Sequence, residues 1–181
     1  MSLWRRWRDE RALRRRAAAY VRELEREPDE ADVRWLADHA TAGDMDHARW
    51  ELRYARRALG LIVAERDALD DRTASAVARE LQESLARDRH VAAGKLEIAR
   101  QQLNLRLRMY GDALLQRGEG TSGERLGRAL VGFSGAAPGS RELVNRSGDL
   151  LGAYVADANE ALRRQFGEAQ LPEDVAPSAV R

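Results

Sequence analysis

From Asp44 to Gln116 the sequence runs without a proline and carries two apolar stripes of helical period, joined by the polar link Leu69-Asp70-Asp71-Arg72-Thr73. In the first stretch Met45, Ala48, Leu52, Ala55, Leu59, Ile62 and Leu69 recur at steps of three, four or seven, interrupted by Arg66. The second continues with Leu81, Leu85, Ala92, Leu96, Ala99, Leu103, Leu107, Tyr110 and Leu114. Such a stripe can be buried only on a helix, and so short a link turns the second helix back along the first. The pattern predicts an all-α fold, an antiparallel helical bundle built on a long two-helix hairpin. Aromatic residues make up only 6% of the chain and charged residues 34%, which suits helices and leaves little for a sheet to pack.

The two arms are unequal. A continuous helix over 74–116 would span about 65 Å against about 39 Å for its partner, at 1.5 Å per residue. Asp88, His90 and Gly94 mark a weak point at which the longer arm could break and fold back. With no proline there, the expectation is that the helix at 74–116 runs on with at most a mild kink, and that the carboxy-terminal helix covers the overshoot.

The remaining segments read as covering helices. Leu13, Ala17, Tyr20, Val21 and Leu24 form one stripe of a helix starting near Leu3, and Glu27-Pro28-Asp29 ends it. Asp29 caps a short helix with Val33, Leu36, Ala37 and Ala40 on one side, and Thr41-Ala42-Gly43-Asp44 opens the first long arm. Thr121-Ser122-Gly123-Glu124 has the form of a capping box before Leu126, Leu130, Val131 and Phe133, and Ser140 caps a last helix from about Arg141 to Phe166. The expected division is an Arg/Trp-rich amino-terminal helix over 1–27, a helical bundle over 28–167 and a flexible tail over 168–181, which holds Pro172 and Pro177.

The absence of cysteine removes disulfides, thiol nucleophiles and Cys-ligated metals. The longest apolar run, Ala58 to Ala64, is far short of the roughly 18 residues a membrane-spanning helix needs, so no transmembrane segment is expected and the cytoplasm is the expected compartment. Residues 1–16 hold seven arginines against Asp9 and Glu10, although the whole chain carries a net charge of only +1.

Three stretches invite a chemical reading. Asp44, His47 and Glu51 stand at i, i+3 and i+7, with Asp38, His39 and Asp46 close by, and such oxygen and nitrogen donors suit zinc, manganese or iron. The simpler account is a charged helix start with an exposed His47–Glu51 pair, and no Glu-x-x-His of the di-metal bundle type occurs in the chain. Gly118 to Gly123 matches G-x-G-x-x-G, yet a helical stretch rather than a strand precedes it, so no dinucleotide is expected. At the amino terminus Trp4, Arg5, Trp7, Arg8 and Arg11 put indole beside guanidinium, a mixture suited to a protein partner, to an anionic membrane surface or to nucleic acid.

Taken together, these features predict a non-enzymatic helical interaction or scaffold module that self-associates or binds a protein partner. No catalytic residue, cofactor or small-molecule substrate is expected. Two alternatives stay open. One is a metal-binding helical protein using Asp44, His47 and Glu51, and the other a peripheral membrane or nucleic-acid binder using the Trp/Arg arm over residues 1–16.

Overall fold

A computed structural model describes residues 3–68, 70–115, 119–137 and 140–167, without the side chains of Leu3 and Arg5. Leu69, Gln116, Gly118 and the tail at 168–181 lie outside the described residues. Among the described residues there are seven helices and no strand: α1 (Leu3–Leu24), α2 (Glu30–Ala40), α3 (Met45–Asp67), α4 (Asp71–Arg87), α5 (Leu96–Leu115), α6 (Ser122–Phe133) and α7 (Arg141–Phe166). They pack as an all-α helical bundle.

Local chemistry sets the helix starts. The side chains of Asp29, Asp44, Asp70, Thr121 and Ser140 each accept a hydrogen bond from a backbone N–H in the first turn that follows. At Thr121 the bond is reciprocated, because Glu124 accepts the N–H of Thr121 at 2.9 Å. Thr41 does not itself cap α3. It closes α2, and its hydroxyl donates to the Asp44 carbonyl at 2.7 Å, while Ala42 and Gly43 make the turn with positive φ.

The expected unbroken helix over 74–116 is overturned. α4 stops at Arg87, residues 88–95 form turns, and α5 begins at Leu96. The apolar register continues across the gap, since Leu85 and Ala99 are both buried, so periodicity alone carried no sign of the stop. The cause is tertiary. The Asp88 carboxylate accepts the N–H of His90 at 2.9 Å and meets the Arg57 guanidinium at 2.5 Å, which holds the C-cap of α4 against the middle of α3. Gly94, at φ 78°, then supplies a left-handed residue before α5.

With the long arm divided, the organising element becomes α3 alone, which touches each of the other six helices. From Tyr54 to Ala64 it is buried around most of its circumference, and small residues make room for its neighbours. At Gly60 a Cβ would run into the Leu24 side chain, and the Tyr20 hydroxyl donates to the Gly60 carbonyl at 2.7 Å. α6 and α7 approach closely by the same device. A Cβ on Gly127 would overlap the Val144 carbonyl, and one on Gly148 would overlap that of Gly123.

Candidate functional site

Two buried ion pairs anchor the frame on which any surface of this protein is displayed. In the first, Arg106 of α5 grips Glu51 of α3 with both arms of its guanidinium, Nη2 at 2.5 Å and Nε at 3.1 Å, and both side chains are almost fully buried. Its remaining nitrogen, Nη1, donates to the carbonyl and side-chain oxygens of Gln102. The cation also lies over the rings of Phe133 at 4.3 Å and Tyr54 at 5.1 Å, so its charge is met by a carboxylate and two π faces. Tyr110 packs edge-on to Phe133, and its buried hydroxyl has no hydrogen-bond partner among the described residues. Burial pushes that hydroxyl far above the usual tyrosine range and keeps it neutral.

The second pair is Arg57 with Asp88. Burial raises the Asp88 pKa, but the His90 N–H and the Arg57 guanidinium outweigh it, and the carboxyl is held below its ordinary value. Beside this pair opens a cleft of about 430 Å³ lined in part by Arg22, Glu27, Arg53, Glu80 and His90. Its charges are largely spent on one another, with Arg53 bidentate on Glu27 and Arg87 on Glu80 at 2.9 Å. Ser84, the hydroxyl residue of its lining, donates to the Leu81 carbonyl at 3.0 Å, so its hydroxyl proton is held by its own helix.

The residues read as metal-ligand candidates take separate roles. Asp44 accepts the His47 N–H at 2.9 Å as a helix cap. Glu51 is not the exposed partner of His47. It turns inward to Arg106, with the His47 ring 3.4 Å away at the edge of the pair. His39 stacks on Trp35 and lies 2.8 Å from the Trp35 carbonyl through Nδ1. Among the described residues no group of three or more such side chains is placed to hold a metal ion.

The glycine motif also dissolves into packing. Thr121 and Glu124 form the capping box, Gly123 meets α7, and Gly118 lies outside the described residues. No helix among the described residues is long and apolar enough to cross a membrane.

Two surfaces remain. The amino-terminal arm presents Trp4 at 67% and Trp7 at 56% exposure, their ring centroids 6.5 Å apart. Arg8 lies over the Trp4 ring at 5.0 Å and Arg11 over the Trp7 ring at 5.1 Å, as i, i+4 neighbours on one helix. The arm's Arg5 side chain lies outside the described residues. The second surface was not singled out from sequence. α5 buries Ala99, Leu103, Arg106, Tyr110 and Ala113 on one side, yet leaves Ile98 at 49%, Leu105 at 37% and Met109 at 45% exposure on another.

A signal for the Arg106–Glu51 pair was present in the spacing. Arg106 falls on the stripe of Leu103 and Tyr110, and Glu51 on that of Tyr54, Ala55 and Ala58, so two helices carry opposite charges inside apolar faces. Comparison with family models, with curated proteins and with solved structures returns no match to this chain.

Proposed function

We propose that this protein is a non-enzymatic helical interaction module that self-associates through the outer stripe of α5. The observation that carries the reading is the exposure of Ile98, Leu105 and Met109 on a helix whose neighbouring side, about 100° round the helix, is already in the core. At 100° per residue the three fall within an arc of about 40°, a continuous apolar strip rather than scattered contacts.

Self-pairing of this strip has a preferred direction. In a two-fold antiparallel pair, Ile98 faces Met109 of the second copy, Leu105 faces Gln102, and Lys95 faces Asp112. In a parallel pair each residue meets its own copy, which sets Arg108 against Arg108 and Asp112 against Asp112. Charge therefore favours the antiparallel arrangement, and the apolar strip supplies its adhesion.

Light scattering with sedimentation equilibrium tests the reading. Wild-type protein is expected to run as a dimer at micromolar concentration, and the pair L105E and M109E together as a monomer of unchanged helicity by circular dichroism. A wild-type chain that stays monomeric at about 100 μM, or a double variant that keeps the dimer mass, overturns it.

A further inference from the structure

We infer that the outer face of α1 is a docking surface for an anionic phospholipid bilayer. This goes beyond the α5 reading and rests on a different helix. At 100° per residue, Trp4, Trp7, Arg8, Arg11 and Arg15 share an arc of about 100°, with Asp9 and Glu10 outside it. The arc points away from the stripe of Ala17, Tyr20 and Leu24 that fixes α1 in the core. Glu10, the nearest acid by sequence to several of these arginines, is engaged by Arg14 at 3.2 Å and Arg72 at 3.3 Å. Among the described residues no ion pair holds Arg8, Arg11 or Arg15.

The face thus combines two exposed indoles with cations that form no ion pair among the described residues. That combination matches a bilayer interface in particular. Indole rings settle at the level between headgroup and acyl chain, and guanidinium groups reach past them to lipid phosphates. The carboxy-terminal half of α1 ties the helix that carries this face to the bundle, because the Tyr20 hydroxyl donates to the carbonyl of Gly60 in the central helix.

A nucleic acid would meet the same charge but a poorer stacking platform. The two rings are inclined at 43° to each other, and each already has a guanidinium over it. A base seeking a flat ring face finds one side of each indole taken, whereas insertion of ring edges among lipid headgroups needs neither face free.

Co-sedimentation of the full chain with vesicles distinguishes these outcomes. Binding is expected to vesicles of phosphatidylcholine with about 30% phosphatidylserine and to be at least about tenfold weaker to pure phosphatidylcholine. It should also weaken as salt is raised. The variant W4A with W7A should lose about tenfold in partitioning, and R8E with R11E and R15E should lose binding altogether, both with unchanged circular dichroism. Equal binding to neutral and anionic vesicles overturns the inference. So does unaltered vesicle binding by either variant, or tighter binding to a short DNA duplex than to the anionic vesicles.

Discussion

Arg106 shows how much a single charged side chain can decide in a small core. Its guanidinium is bonded to Glu51 and Gln102 and covered by two rings, so removing either partner of the ion pair leaves the other buried and uncompensated. R106M is expected to lower stability by about 3–5 kcal/mol, read from the midpoint of urea unfolding, whereas R106M with E51L should recover most of that loss. A double variant as unstable as the single one would show that the pair is not the unit. At Asp88 the linkage runs through pH. Its carboxyl is held below the ordinary value of 3.8, so the unfolded chain takes up the proton first as the solution is acidified. The contribution of this pair to stability is present above that value and is lost as pH falls through the lower folded-state value. D88N should therefore be less stable than wild type at neutral pH and show a shallower loss in acid, measured by urea unfolding across the two ranges.

At the scale of elements, the sequence spoke clearly wherever local chemistry decides. Asp29, Thr121 and Ser140 stand as caps where their residue types and spacing put them, and the stripe of α2 is buried, as is that of α6 apart from the half-buried Phe133. It said less where a distant residue decides: Asp88, His90 and Gly94 marked a weak point, but the pattern did not separate a kink from a break. The stop after Arg87 depends on Arg57, thirty-one positions back on another helix, and the apolar register hides it by resuming in phase at Leu96. Glu51 was misread for the same reason, since its partner lies on α5 and a helical wheel of α3 alone places it beside His47. The crossing of α6 and α7 rests on glycines that a hydrophobicity pattern does not register. Because a Cβ at Gly127 would meet backbone rather than a yielding side chain, G127A is expected to destabilise by about 1–3 kcal/mol. The same change at Gly132 in the last turn of α6, where a Cβ meets nothing within 4 Å, should be neutral or slightly stabilising. Thermal midpoints of the two variants make the comparison.

For the whole molecule, the two exposed surfaces lie on different helices, α1 and α5, which do not pair closely with each other. A chain arranged in this way can offer one face to a second copy and the other to a charged boundary. The dimer and vesicle measurements above are thus independent of one another, and each surface can fail without the other. The central position of α3 carries a further consequence, for cooperativity. A helix touched by all six others keeps its amide protection until most of its surroundings have come apart. In native-state hydrogen exchange, the amides from Tyr54 to Ala64 should exchange last and only through global unfolding. Those of the first turns of α1, around Trp4 and Trp7, should exchange through local fraying that leaves the remainder of the bundle intact.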